Sequence, residues 1–210
     1  FGFIFRAYHA RAHSSAPPMR TSAGQPTEVV YIFQSMLRRL LANHNPDFVA
    51  AVFEGEGPAV REQEYAEYKA NRPEPPADLI QQIPWVRRLL EAMRIPVLEH
   101  PGYEADDVIG TIARQAVEAG VDVVIVSSDK DLLQLVGDGV FVLDPMKGDQ
   151  LYDAAKVKER LGVEPAQMPD YLALVQRLFT SEANVRNVKA FFSVKRSKFG
   201  ARVPMPQRPP

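Results

Sequence analysis

The stretch Val121-Asp122-Val123-Val124-Ile125-Val126-Ser127-Ser128-Asp129-Lys130-Asp131 decides the fold class. Its first six positions hold one charge among β-branched residues, the strongest strand composition in the chain. Two serines then hand over to Asp129, and Asp129 to Val136 reads as a short helix. Strand, tight junction and helix follow one another, with two carboxylates at the junction. In open α/β sheets, functional sites lie outside the carboxyl ends of the strands.

The same alternation extends in both directions. Upstream, Glu104 to Gly120 reads as a helix with a glycine stop, and Ile95-Pro96-Val97-Leu98 as a strand. Residues 77–93 carry Leu79, Ile83, Val86, Leu89-Leu90 and Met93 at helical spacing. The run from Asp47 to Phe53 predicts a buried strand. Residues 27–43 predict a helix through Val30, Phe33, Met36-Leu37 and Leu40-Leu41. Downstream, Val140 to Leu143 reads as a strand, with helices over Tyr152–Leu161 and Met168–Val175. Strands alternating with helices predict an α/β fold, three layers around a central, mainly parallel sheet. Residues 54–76 are polar and too long for an ordinary connection, which predicts a functional loop or arch.

Composition bounds the rest. The 210 residues suffice for one domain with a sizeable core, or one domain and an appendage. A net charge of −1 gives no global sign of a polyanionic partner, so any nucleic-acid surface must come from local segregation of charge. There is no cysteine, which excludes disulfides and thiolate metal sites. No apolar run approaches the ~18 residues of a membrane span. Neither a P-loop nor Gly-x-Gly-x-x-Gly is present, which argues against a nucleotide-cofactor enzyme. The N-terminus lacks the basic and long apolar regions of a signal peptide. A cytoplasmic location is expected.

Three strand ends deliver carboxylates. The strand ending at Phe53 runs into Glu54. The strand at 95–98 leads through His100-Pro101-Gly102-Tyr103 into Glu104-Ala105-Asp106-Asp107. The opening stretch delivers Asp129 and Asp131. Glu104 and Asp107 are three apart at a helix start, so both can face one side. Convergent carboxylates raise one another's pKa unless cations neutralise them. Oxygen-only sets suit Mg²⁺ or Mn²⁺. Two such ions about 3.5–4 Å apart activate water and stabilise a leaving oxygen in phosphodiester cleavage. A carboxylate at a helix start is also an ordinary cap, the simpler reading of Asp129 or Glu104 taken singly. Capping needs one carboxylate per helix, and each start here has two or three.

In the arch region, Tyr65 and Tyr68 interleave with Arg61, Lys69 and Arg72. Stacking combined with phosphate contact holds single strands without sequence preference. The simpler alternative is a solvated amphipathic segment with its tyrosines packed inward.

Five ordered segments carry a resemblance. They are Phe5-Arg6-Ala7-Tyr8-His9-Ala10, Tyr65 to Pro73, Gly102 to Ile109, Ser128 to Val136, and Pro169 to Val175. Together they resemble the 5′-3′ exonuclease domain of bacterial DNA polymerase I, within the flap-endonuclease-like, PIN-like 5′ nuclease family. The resemblance implies a PIN-like core with a helical arch. It also implies Mg²⁺- or Mn²⁺-dependent cleavage of DNA at a 5′ end or 5′ flap, in replication and repair. Glu104, Asp106, Asp107, Asp129 and Asp131 match the family's metal-binding acids, and two or more ions are implied. Glu54 stands where the family has Asp, one CH₂ longer in reach. Arg61, Lys69 and Arg72 match the arch that handles the 5′ strand, with Lys69 and Arg61 as catalytic candidates. Arg6 and His9 match a stretch near the scissile phosphate.

The chain departs from the family at both ends. Family members place a strand ending in Asp-Gly before the Phe5 segment, and one metal-binding Asp with it. After Val175 the family continues with Gly-Asp-x-x-Asp-Asn and a helix-hairpin-helix, where this chain reads Gln176-Arg177-Leu178-Phe179-Thr180. The expected organisation is therefore a nuclease core over 1–175 lacking its first strand, then a basic, proline-containing, disordered tail over 176–210. No polymerase region is present. The expected function is that of a metal-dependent 5′-3′ exonuclease and structure-specific flap endonuclease acting on DNA in replication and repair, with the missing acids expected to weaken it or abolish it in this chain. The alternatives are a non-catalytic binder of 5′ flaps or single strands, or a nonfunctional gene fragment.

Overall fold

The computed structural model describes residues 2–12, 17–55, 57 and 75–181, with only the backbone at 11–12 and 176–181. Tyr65, Tyr68, Arg61, Lys69 and Arg72 lie outside the described residues, and so does the expected arch. The chain divides into two compact units, 1–108 and 109–210.

The first unit opens with α1 (Gly2–Ala12), which the sequence reading left unassigned, and α2 (Glu28–His44). Ile4 and Ala7 of α1 and Val29, Phe33 and Leu37 of α2 are buried together. The Phe3 and Phe33 rings meet edge to face at 5.6 Å, a preferred aromatic geometry. Strands β1 (Ala51–Val52) and β2 (Val97–Leu98) pair in parallel, Ala51 opposite Val97. Both are shorter than the apolar runs that predicted them.

The single helix expected over 77–93 is two, α3 (Ala77–Ile80) and α4 (Ile83–Ala92). Pro84 sits in the first turn of α4 and supplies no N–H toward the preceding turn, so the ladder breaks there. Gln82, at the break, is fully buried. Its Oε1 accepts from Val29 N at 2.9 Å and its Nε2 donates to Asp78 O at 3.1 Å. One amide thus satisfies an orphan donor at the start of α2 and a carbonyl of α3.

Helix α5 (Ala105–Glu118) follows, and the division between units falls within it. In the second unit, β3 (Val123–Val126) pairs in parallel with β4 (Val140–Asp144), Val123 opposite Val140. The antiparallel strand β5 (Gln150–Tyr152) pairs with β4, Val142 opposite Tyr152. β5 was not expected, and Tyr152 was assigned to the next helix. That helix, α6 (Ala154–Leu161), instead starts at an Asp153 cap whose Oδ1 accepts from Lys156 N at 2.8 Å, and ends at Gly162 with φ +76°. The expected short helix after β3 is a 3₁₀ segment, Lys130–Leu135. Leu132, Leu133, Val142, Val157 and Met168 fill this unit's core.

The last helix, α7 (Met168–Ser181), runs six residues past Val175. The boundary expected between 175 and 176 therefore falls inside a helix. Residues 182–210 of the expected tail lie outside the described residues. No described helix is long and apolar enough to cross a membrane. The α/β class is borne out, with parallel pairing in both units and β5 as the antiparallel exception.

Leu133 is 1% exposed at the centre of the second unit's core. Leu133→Ala is expected to lower unfolding free energy by about 2–5 kcal/mol, read from urea denaturation curves.

Candidate metal centre

In the first unit, acids follow the ends of β1 and β2. β1 runs through buried Phe53 into half-buried Glu54, and Glu54 Oε2 accepts from Ala105 N at 3.1 Å. A strand-end carboxylate therefore satisfies an orphan donor at the start of α5 and sits favourably at its positive end. Glu104 provides the carbonyl that opens the helix, accepting from Asp107 N at 3.1 Å and Val108 N at 3.3 Å. The side chains of Glu104 and Asp107 are both buried, each 6% exposed, and Asp106 is half-buried. Each of these three acids has a polar or electrostatic neighbour. Glu104 and Asp107, three residues apart at the helix start, are buried to the same extent.

The junction is held by a close approach of two backbones. Gly55 N donates to Tyr103 O at 3.4 Å. A Cβ built on Gly55 would stand 1.9 Å from the carbonyl oxygen of His100 and 2.5 Å from its carbon. Only glycine fits there without moving main chain. Above it, the His100 and Tyr103 rings meet edge to face at 5.0 Å. Beneath, the Arg87 guanidinium lies 4.4 Å over the Phe53 ring and pairs with Glu99. Neither Gly55 nor His100 was singled out from the sequence, because their contact joins segments 45 positions apart.

In the second unit, Asp129 is exposed and is a cap. Its Oδ1 accepts from Asp131 N at 3.0 Å at the start of the 3₁₀ segment. The simpler reading of Asp129 holds for one oxygen, and a carboxylate has further lone pairs for a cation. Asp131 is 8% exposed and has polar or electrostatic company. A third acid was missed. Asp144, at the end of β4, is 4% exposed, and its Oδ1 accepts from Ser128 Oγ at 2.8 Å and Met146 N at 3.0 Å. The signal was available: the apolar run Val140 to Leu143 runs straight into Asp144, as the earlier run does into Glu54.

Arg6 is half-buried on α1, and His9 is exposed there, its ring 5.5 Å from Phe5 and 5.4 Å from Tyr8. Tyr8 donates to Asp78 Oδ1 at 3.3 Å. Burial, then the Asp78 charge and this hydrogen bond, raise the Tyr8 pKa above the ordinary phenol value.

The donor set is hard oxygen throughout, the chemistry of Mg²⁺, Mn²⁺ or Ca²⁺. Clustering is a separate matter. Among the described residues, no group of three or more His, Asp or Glu side chains is placed to hold a metal ion. The acids thus fit a divalent cation by type and by their station at strand ends, without a closed ligand cage.

A family model described as 5′-3′ exonuclease, N-terminal resolvase-like domain, matches residues 1–162. The chain belongs to this family. It is 43% identical over 173 residues to a 5′-3′ exonuclease of Aquifex aeolicus, covering 82% of this chain and 58% of that protein. It is 44% identical over 170 residues to a DNA polymerase I of Caldicellulosiruptor bescii, covering 79% of this chain and 20% of that protein. The chain therefore spans somewhat over half of one relative and a fifth of the other. Among solved structures, the bacteriophage T5 D15 protein co-crystallized with metal ions matches with TM-score 0.62 at 18% identity, over 84% of this chain and 64% of that one. A T5 D15 flap endonuclease in complex with DNA and metal ions matches with TM-score 0.63 at 18% identity, over 84% and 65%. At that identity the likeness shows the fold, which is that of the 5′ nucleases.

Gly55→Ala is expected to part the Glu54–Gly55 turn from the His100 carbonyl and to weaken the Glu54–Ala105 hydrogen bond. Overpacking of this kind costs about 1–3 kcal/mol. A thermal melt would show it, and an unchanged melting temperature would mean that the two backbones separate without cost.

Proposed function

We propose that this chain is the nuclease module of a metal-dependent 5′-3′ exonuclease, hydrolysing phosphodiesters of DNA at a 5′ end or 5′ flap. The observation that carries the proposal is the placing of acids in a chain of this family. Glu54, Glu104, Asp107, Asp129, Asp131 and Asp144 each stand at a strand end or the helix start that follows it. Three of the proposed ligands, Glu104, Asp107 and Asp131, are 8% exposed or less. Carboxylates held in place at such positions supply the hard oxygen donors that Mg²⁺ or Mn²⁺ takes.

Glu104, Asp106 and Asp107 would hold a metal at the start of α5, and Asp129 and Asp131 at the 3₁₀ segment. Bound Mg²⁺ or Mn²⁺ supplies neutralisation of phosphate charge and a more acidic water. The chain's own residues do the positioning. Glu54 fixes the start of α5 through Ala105 N. Asp129 fixes the turn that carries Asp131. Asp144, held by Ser128 and Met146, ties the end of β4 to the segment carrying Asp129. Arg6 and His9 on α1 are proposed to meet the phosphate near the scissile bond. Arg61, Lys69 and Arg72 are proposed to hold the 5′ strand's phosphates while Tyr65 and Tyr68 stack its bases. Lys69 is proposed to steady the charge developing on the scissile phosphate.

Cleavage of a labelled 5′-flap DNA in Mg²⁺ tests the reading. Chelation with EDTA is expected to abolish it. Asp129→Asn/Asp131→Asn is expected to lower kcat/KM by more than the roughly 10–100-fold typical of losing a residue that only supports a metal ligand. Flap binding in Ca²⁺ with no cleavage in Mg²⁺ would reduce the chain to a binding module. Cleavage indifferent to both EDTA and the double substitution would sink the metal assignment.

A further inference from the structure

Helix α4 carries an exposed aromatic face that neither the core nor the proposed chemistry uses. The backbone stays right-handed helical through Gln81 and Gln82, so α3 and α4 keep common faces across the break. Leu79, Gln82, Val86 and Leu90 are the buried set. Ile80, Pro84, Trp85 and Arg88 lie opposite, all exposed, at the three- and four-residue spacing of one helix face. Ile80 is 49% exposed and Trp85 44%. Tryptophan is seldom fully buried, so one exposed ring alone would mean little. Here an isoleucine, a proline and an arginine share its face.

The face begins at the acid end of the first unit. α4 leads into β2, so its first turn lies toward the carboxyl ends of the β1–β2 pair. Arg87 fixes that placement. Its guanidinium lies over the ring of Phe53, the residue after β1, and pairs with Glu99, the residue after β2. Glu54 and Glu104 follow the same two strand ends. Trp85 stands two positions before Arg87, in the first turn of the helix.

The chemistry of the face selects a ligand. The Arg88 guanidinium lies 4.8 Å from the centroid of the Trp85 ring, over its face, and steadies the ring's plane. Arg87 is committed to Glu99, and exposed Glu91 tempers the charge of Arg88 from the next turn. The face therefore offers a held π-surface with little net charge, which suits a base better than a phosphate. A stable protein interface takes about 800 Å² from each partner, more than four side chains supply. We propose that Trp85, backed by Arg88, is a stacking platform for one unpaired base of bound DNA. The platform rests on the DNA reading above and adds a contact to it. Every base has a π-face, so the contact carries no sequence preference.

Trp85 is the single tryptophan of the chain, so tryptophan emission reports on this site alone. The full chain is titrated with dye-labelled 5′-flap DNA in Ca²⁺, following anisotropy of the dye and, with unlabelled DNA, tryptophan emission. Saturable quenching is expected, with the midpoint that anisotropy gives. A flap whose single-stranded arm lacks its bases is expected to bind through its phosphates and duplex and to leave the emission unchanged. Trp85→Ala is expected to raise Kd at least about fivefold, the loss of one base stack, and Trp85→Phe to recover most of it. Tyr31→Ala, at an aromatic on α2 that is 57% exposed, is the control and is expected to bind as wild type does. Binding with unquenched emission, or equal quenching by the base-free arm, would overturn the platform. So would Trp85→Ala binding as tightly as wild type, or Tyr31→Ala weakening binding as much. Those results would leave the face to a protein partner. Flap DNA that does not bind at all by anisotropy would sink the DNA reading and the platform together.

Discussion

The hydrogen bond from Ala105 N to Glu54 Oε2 is the interaction on which the first acid group depends. It crosses 51 positions of sequence and joins the end of one strand to the start of the helix that follows the neighbouring strand. It forms because Gly55 lets two backbones approach to a separation no side chain would permit. With that junction in place, Glu104, Ala105 and Asp107 are buried where the helix begins. The same physics recurs in the second unit, where Asp129 caps the segment carrying Asp131 and Asp144 gathers donors from Ser128 and Met146. Carboxylates that cap helices and turns at strand ends are thereby held in one orientation.

This dual use explains why capping and metal binding are hard to tell apart at such sites. A cap needs one acceptor for a backbone N–H. A metal ligand needs an oxygen with capacity left over, held still. A carboxylate has two oxygens and about four acceptor sites, so one oxygen can orient the group while the other remains for chemistry. Asp129 and Glu54 each have one oxygen committed in this way. The burial of Glu104, Asp107, Asp131 and Asp144 sets them apart from ordinary solvated caps.

The cations are distributed by the same folding events. Lys130 follows Asp129 directly, so the turn that presents an acid also presents a base. Arg160 comes from α6 and Lys147 from the turn after β4. β5, pairing antiparallel with β4, brings Tyr152 beneath Arg160. A chain of near-zero net charge thus sets cations beside acids at these strand ends.

The sequence by itself determined the alternation of strands and helices, because buried strands and amphipathic helices have periods that local composition exposes. It also pointed to Glu54, Glu104, Asp106, Asp107, Asp129 and Asp131 as candidates, because they lie where a strand ends or a helix begins. Element edges were less legible. Pro84 split one expected helix, β5 went unseen because three residues carry too little pattern, and α7 ran on through a change of charge that the helix does not feel. Only the tertiary structure decided which acids are buried, Asp144 among them, that Gly55 must be glycine, and that Lys130 and Arg160 line one concavity. Those facts depend on contacts between distant segments, and neither spacing nor composition encodes a distance through space.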